Sequence, residues 1–277
     1  MNAPLIVIIS VLSFLILSLA VFLILIKPSG RREKMEKYKS LNFAHRGLHD
    51  ATRAENSISA FAAAVEAGFA IELDVRLSSD GVLMVFHDDT LERMTGEEGR
   101  VDSKTAEELR SIKLGETEDT IPTFDEVLAL IDGRVPLLVE IKEDAGKYGV
   151  TEKTVEALKG YKGEFLIESF NPLALARVKK LMPEAPRGIL SKTFLKEKEY
   201  RAFTYFLLQC LVLNAASRPD FIAFDHRHSK NLALRLARGI FKAPTLAWTI
   251  RSEGEEKMAR KHGFDGMIFE GYIPTKR

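Results

Sequence analysis

Cysteine is nearly absent from this 277-residue chain: Cys210 stands alone, which excludes an internal disulfide and any cysteine-rich metal centre, and fits a reducing compartment. An excess of either charge is missing too. Forty Lys and Arg against 39 Asp and Glu leave a formal net charge of +1, so the overall field points to no nucleic-acid partner, and phosphate recognition has to be local. A third absence is confined to one segment. Residues 4–26 carry no charge, and their only polar members are Ser10, Ser13 and Ser18. As a helix the run reaches about 34 Å, enough to cross a hydrocarbon core of about 30 Å. A signal peptide is the competing reading, but it wants a basic leading segment and a shorter apolar core. We read residues 1–27 as an uncleaved, single-pass transmembrane anchor. Lys27, Arg31, Arg32, Lys34, Lys37 and Lys39 come next, against Glu33 and Glu36 alone. Residues 28–40 therefore read as a basic linker, either solvated or touching anionic lipid, and the positive-inside rule puts the domain beyond it in the cytoplasm.

Beyond the linker, apolar runs of strand length alternate with amphipathic stretches, the pattern of a parallel α/β sheet. The runs are residues 41–44, 69–75, 82–86, 137–141, 165–167, 188–190, 221–224, 245–248 and 266–269. Asn56 or Ser57 can cap a helix carrying Ile58, Phe61, Ala62 and Val65, which Gly68 ends. Thr123 and Glu126 have capping-box spacing ahead of Phe124, Val127, Leu128 and Ile131. Nine strands are one too many for an eightfold barrel, yet only residues 78–81 separate the second run from the third. A parallel crossover needs a dozen residues or more, so these two must pair as an antiparallel hairpin, with Asp80-Gly81 as its turn. The remaining eight close as a (β/α)8 TIM barrel over residues 41–277, with a small inserted subdomain at about residues 89–121 that holds a short helix near residues 106–111.

Chemistry gathers at the strand ends. Glu72 and Asp74 lie two apart on one strand and face the same side, and Glu140 repeats the geometry with Lys142 on a later strand. Inward carboxylates are costly unless a cation or base meets them, and three oxygen ligands without sulfur suit a hard divalent ion, Ca²⁺ or Mg²⁺. The bland alternative is a salt-bridge network with Lys142 and Arg46. His45 and His87 each follow an apolar strand, and a pair of imidazoles can serve as acid and base near neutral pH. Arg46 offers a planar fork to phosphate oxygens. His49, His226, His228 and His262 show no comparable pairing and read as surface or loop residues. Residues 202–213 are strongly apolar but too short to span a membrane. They read as a buried barrel helix, or alternatively as an interfacial patch beside the anchor.

Seven motifs, His45-Arg46-Gly47, Glu55-Asn56-Ser57, Glu72-x-Asp74, Asp80-Gly81, His87-Asp88, Glu140-x-Lys142 and Ser169-Phe170-Asn171, stand in the order found in glycerophosphodiester phosphodiesterases. Over about residues 41–269 the chain resembles that metal-dependent barrel family. The resemblance implies Glu72, Asp74 and Glu140 as metal ligands, His45 and His87 as the acid–base pair, and the insertion after His87 as the family's subdomain. It also implies a glycerophosphodiester substrate cleaved to glycerol 3-phosphate and an alcohol, with Arg46 and Lys142 on the phosphate and Trp248 as the substrate-side aromatic. Three sites depart from the family pattern: Arg251 replaces a usual Asn, Phe269-Glu270 a common Thr-Asp, and Ala54 a frequent Pro. Two further readings compete with hydrolysis of soluble diesters. One is lysophospholipase D-like cleavage of membrane lysophospholipids, which the anchor and residues 202–213 favour. The other is a catalytically silent, membrane-tethered binding barrel, disfavoured because every metal and acid–base position is filled.

Overall fold

The computed structural model describes residues 3–144, 149–196 and 203–275. All nine expected strands form, with bounds within two residues of the apolar runs: β1 Asn42–His45, β2 Ala70–Leu77, β3 Leu83–Val85, β4 Leu137–Ile141, β5 Phe165–Ser169, β6 Arg187–Ser191, β7 Phe221–Asp225, β8 Thr245–Ile250 and β9 Gly266–Phe269. Eight of them pair in parallel in the order β1-β9-β8-β7-β6-β5-β4-β2, and a β1–β2 pairing closes the ring into a TIM barrel. β3 pairs antiparallel with the far end of β2, through Val75, Arg76 and Leu77. Gly81 sits in that hairpin turn at φ +80, a conformation that suits glycine.

Helices cover the barrel where the capping chemistry predicts them. Ser57, not Asn56, caps the helix Ile58–Ala67 by accepting from the Ala60 N–H, and Thr123 and Glu126 form a reciprocal capping box on the helix Phe124–Ile131. The outward strand residues Leu73, Val75, Val139 and Ile167 pack with Phe61, Phe124 and Val127 in the main core. The insertion has its own small core of Leu91, Val101, Leu109, Ile112 and Ile121, which leans on Met84 and Phe86. The inward residues divide by height. Phe43, Ala70, Leu138, Leu166 and Phe221 fill the lower barrel, whereas one pleat higher the same stripes carry His45, Glu72, Glu140 and Glu168. Apolar filling below and polar groups at the carboxyl ends of the strands make the upper end the chemical one.

Two segments differ from expectation. Residues 28–40, read as a solvated basic linker, run across the barrel floor with Met35 and Tyr38 buried in the lower core. Their charges are used locally: Arg31 clamps Asp220 through Nε at 2.7 Å and Nη2 at 2.5 Å, Lys37 reaches Glu164 at 2.5 Å, and Lys34 pairs with Glu184. The end of the apolar helix Ala3–Ile26 docks as well. Ile26 is buried in the main core, Asn214 Nδ2 donates to its carbonyl at 3.2 Å, and Arg218 Nη1 donates to the carbonyls of Ile24 at 2.8 Å and Lys27 at 2.9 Å. Residues 3–21 of this helix, which is long and apolar enough to cross a membrane, are exposed. The second difference concerns residues 202–213, of which Ala202 lies outside the described residues. The helix Phe203–Gln209 buries none of its residues, and within the described part of this stretch only Leu211 is buried, so the buried-helix reading fails: among the described residues too little packs on the helix to cover it.

Asp220 ties the floor together: it also accepts from Ser29 Oγ at 2.5 Å and from the Arg187 N–H at 3.0 Å. Asp220→Ala is expected to cost about 2–3 kcal/mol, because it strands donors at a buried acceptor. Thermal melting of the full chain in detergent would show this as a fall of about 2–4 °C per kcal/mol. Faster tryptic cutting at Lys34, Lys37 and Lys39 is expected alongside.

Candidate functional site

β2 and β4 bring Glu72, Asp74 and Glu140 together because they are adjacent parallel strands in a register that sets Asp74 beside Glu140. One oxygen from each carboxylate lies within 4.8 Å of the others, at exposures of only 2%, 1% and 6%. Burial and the neighbouring carboxylates Asp74, Glu140 and Glu168 hold Glu72 well above the usual carboxylate range. Burial also pushes Glu140 up to about 7, partly offset by Lys142. Asp74 goes the other way despite its burial, since Lys142 and Arg46 set positive charge beside it and Asn56 Nδ2 donates to its Oδ2 at 2.9 Å. Lys142 Nζ lies 3.0 Å from Asp74 Oδ1 and 2.8 Å from Glu140 Oε1. Arg46 gives its backbone N–H to Glu72 Oε2 at 3.0 Å and its Nη1 to Glu55 Oε1 at 2.7 Å, with Nε 3.4 Å from Asp74. The cluster is all-oxygen, with no sulfur or nitrogen inside the triad, which is the donor chemistry of a hard divalent cation.

Arg46 reaches three acids because the chain turns sharply behind His45. Arg46 itself has φ +56 and Gly47 φ +84, and a Cβ on Gly47 would stand 2.9 Å from both the backbone carbon and the Cβ of Ala60. Only glycine fits there, so the His45-Arg46-Gly47 motif is a turn as much as a set of functional groups.

Each of the two histidines is held by an acid–arginine chain. His45 Nδ1–H donates to Glu270 Oε2, while Arg251 Nε donates to Glu270 Oε1 at 2.6 Å. His87 Nδ1–H donates to Asp88 Oδ1 at 2.5 Å, and Arg93 Nε donates to Asp88 Oδ2. An ionised carboxylate only accepts, so it fixes the ring proton on Nδ1 and leaves Nε2 with a lone pair. For His45 that Nε2 lies 4.0 Å from Glu72 Oε2. Burial lowers the pKa of His45 more than Glu270 raises it, and burial takes His87 down to about 4, so both rings are neutral bases at pH 7. Glu270 stays ionised, at about 2, because His45 and Arg251 outweigh its own burial. Arg76 Nε, donating to the His87 carbonyl at 2.9 Å, fixes the backbone behind the second ring.

All eight candidate residues from the sequence lie at the upper end of the barrel; His45, Arg46, Glu72, Asp74, Glu140 and Lys142 are linked by these contacts, and His87 joins them through Arg93, whose Nη2 donates to Glu55 Oε1 at 2.6 Å. Trp248 is on β8 within the barrel's aromatic lining, edge-on to Phe170 with ring centroids 5.6 Å apart, and its Nε1–H has no partner among the described residues. Several neighbours escaped the sequence reading. Glu270 and Arg251 were legible only as departures from a family pattern, Asp88 as a motif neighbour of His87 without a role of its own, and Arg93 as an ordinary charge. Glu168 repeats the inward phase at a strand end and is registered against Glu140. Burial and Glu140 hold it well above the usual range, and its Oε2 has no partner among the described residues. His226 and His228 are less bare than expected, since His228 Nδ1 lies 3.5 Å from buried Asp225 and His226 Nε2 3.7 Å from Glu255. They line, with His262, a cavity of about 870 Å³, but none of the three clustered carboxylates reaches it.

Comparison with known proteins agrees with this geometry. Residues 45–271 match the family model described as the glycerophosphoryl diester phosphodiesterase family. A glycerophosphodiester phosphodiesterase of Caldanaerobacter subterraneus is 37% identical over 244 residues, covering 83% of this chain and 93% of the relative. One from Bacillus subtilis is 25% identical over 290 residues, covering 95% of this chain and 94% of its own length. Among solved structures, an Oleispira antarctica phosphodiesterase in complex with the product sn-glycerol-3-phosphate superposes with a TM-score of 0.69 at 26% identity, over 84% of this chain and 94% of that one. The glycerophosphodiester phosphodiesterase of Thermotoga maritima gives 0.64 at 25% identity, over 83% and 94%. The chain belongs to the glycerophosphoryl diester phosphodiesterase family and is a phosphoric diester hydrolase acting on glycerophosphodiesters.

Proposed function

We propose that this chain cleaves glycerophosphodiesters to glycerol 3-phosphate and an alcohol with the help of a divalent ion, Ca²⁺ or Mg²⁺, held by Glu72, Asp74 and Glu140, and with His45 and His87 sharing the proton transfers. The observation that carries this reading is the convergence of three buried carboxylates, two fixed cations and two oriented imidazoles at one end of the barrel. When bound, the ion would supply charge neutralisation at the phosphoryl oxygens and orientation of the glycerol hydroxyls. Arg46 and Lys142 bind the remaining phosphoryl oxygens, and Trp248 packs its ring against the substrate. One imidazole takes a proton from the attacking nucleophile through Nε2, and the other returns a proton to the departing alcohol oxygen. In total, water adds across one P–O bond. The substrate's negative phosphate favours the imidazolium needed for the second role. Glu270 and Asp88 hold each ring and its Nδ1 proton in place, with Arg251 and Arg93 behind them.

In this reading residues 1–27 form a single-pass anchor and residues 41–277 the working barrel, with residues 28–40 as its floor. The Lys and Arg that succeed the apolar helix support a cytoplasmic barrel.

His45→Ala and His87→Ala are each expected to lower kcat by about 10²-fold or more, with the melting temperature little changed. Near-normal turnover by either purified variant would remove that histidine from the mechanism. Glu270→Gln keeps the shape but not the charge, so kcat should fall roughly tenfold or more with KM nearly constant. Equal changes in both constants would contradict a positioning role. Chelator should abolish release of glycerol 3-phosphate and Ca²⁺ or Mg²⁺ restore it. At a hundredfold excess over its Kd the ion should stabilise the chain by about 2.7 kcal/mol in thermal melts, an increment that Asp74→Asn removes.

A further inference from the structure

At the opposite end from the chemistry, a cavity of about 460 Å³ opens in the barrel floor, lined by four cations and one acid. Lys39 ends the floor segment, Arg235, Arg238 and Lys242 belong to the helix Leu232–Phe241 and its cap, and Asp265 precedes β9. We propose that this cavity binds the phosphate of an anionic phospholipid from the bilayer that roots the apolar helix, and so pins the barrel to that leaflet. The inference relies on reading residues 1–27 as an anchor and is independent of the catalytic reading.

The positive charge is neither balanced nor spent. Arg235 and Lys242 are exposed, and neither has a carboxylate partner among the described residues. Lys39 meets only Glu36, at 2.6 Å on the surface. Arg238 is the fixed member: its Nη2 donates to the His262 carbonyl at 2.6 Å and to that of Gly263, and its Cζ lies 5.2 Å from the Phe264 ring centroid. Gly263, at φ +76, makes room for that Nη2, since an added Cβ would collide with it. The Nε and Nη1 donors of Arg238 have no acceptor among the described residues and remain for a ligand. Burial lowers the Arg238 pKa, and Asp265 offsets only part of that. Asp265 in turn spends Oδ2 on Thr245, accepting from its N–H at 2.8 Å and its Oγ1 at 3.1 Å. A phosphodiester spreads one negative charge over two oxygens, which a guanidinium fork can meet while ammonium groups stand around it as point charges.

What surrounds the cavity favours a lipid over a free anion. The helix Leu232–Phe241 packs beside the helix Ala3–Ile26. The exposed run of that apolar helix stops at Phe22 and Leu23, which pack on the main core, so no spacer holds the barrel away from the bilayer. Leu232, Leu236 and Ile240 stand four apart on one stripe of their helix, and Leu232 and Ile240 are 64% and 52% exposed. Arg235 and Lys242 flank the stripe. A row of apolar side chains with basic ones beside it is what a helix lying at a bilayer surface presents, and anionic headgroups attract such cations. A soluble anion would have no use for the apolar stripe.

The full chain in dodecyl maltoside would be titrated with dioleoyl phosphatidylglycerol, with dioleoyl phosphatidylcholine and inorganic phosphate as separate arms, and bound lipid counted by native mass spectrometry alongside thermal melting. Phosphatidylglycerol is expected to bind and raise the melting temperature, and the other two at the same concentration to do neither. Joint Arg235→Gln and Lys242→Gln should weaken that binding about fivefold for each charge removed, with the lipid-free melting temperature and glycerophosphocholine turnover unchanged. Joint Lys159→Gln and Lys162→Gln, at exposed lysines between β4 and β5, removes the same charge and should leave binding intact. Gly239→Glu, at a position where an added Cβ meets nothing within 4 Å, should abolish binding by setting a carboxylate at the cavity. Equal weakening in both double variants, or binding that survives Gly239→Glu, would mean a diffuse field and would overturn the proposal. Equal binding of the two lipids would overturn it as well, and a full shift with inorganic phosphate alone would give the cavity to a free anion. A chain that stays monodisperse without detergent and still prefers phosphatidylglycerol would uphold the cavity and fault the anchor instead.

Discussion

Four acids inside one barrel set the terms for everything around them. Glu72, Asp74, Glu140 and Glu168 share the upper interior, where burial and mutual repulsion raise three of the four pKa values. Such a cluster survives only if fixed positive charge stands beside it. Lys142 and Arg46 supply that charge. Asp74, which both of them contact, is the one acid whose pKa falls. The sharp turn at Arg46-Gly47, the packing of Gly47 on Ala60 and the Asn56 amide on Asp74 all read as consequences of bringing a guanidinium and donors to this spot.

The lower barrel is the counterweight. Apolar residues fill the inward positions one pleat below the acids, and Met35 and Tyr38 close the floor from a segment outside the ring. A rigid base of this kind holds strand ends in register, and register is what aligns β2 with β4. The clamp of Arg31 on Asp220 couples that floor to the apolar helix, so the barrel and the candidate span meet through a docked joint and not through a loose tether.

Around the acids, two imidazoles are restrained in the same way by different parts of the chain. Asp88 and Arg93 belong to the strand end and the insertion, Glu270 and Arg251 to the last two strand ends. The second pair gives two of the departures from the family pattern a joint explanation: Glu270 reaches His45 on one side and meets Arg251 on the other, so these two replacements act as a unit.

The strand runs, the hairpin forced by a short connection, the helix caps and the acids, cations and histidines at the strand ends were legible in the sequence, because each rests on local periodicity, turn chemistry or residue type at a strand end, whereas Trp248 entered only through the family resemblance. The fates of residues 28–40 and 203–209 were not, since a basic stretch and an apolar stretch say what they prefer to touch but not whether a barrel floor or an open face awaits them. Glu168, Glu270 and Arg251 were hidden for a related reason. Their meaning depends on which strand is the neighbour and how far along it a side chain reaches. The sequence by itself determined the elements, the inward phase of Glu72, Asp74 and Glu140, and the hydrophobic length of the first helix, all properties of spacing along one segment. Only closure of the ring decided which acids cluster, which carboxylate meets which imidazole and what stands at the upper end of the barrel, because those contacts join residues as far apart as His45 and Glu270.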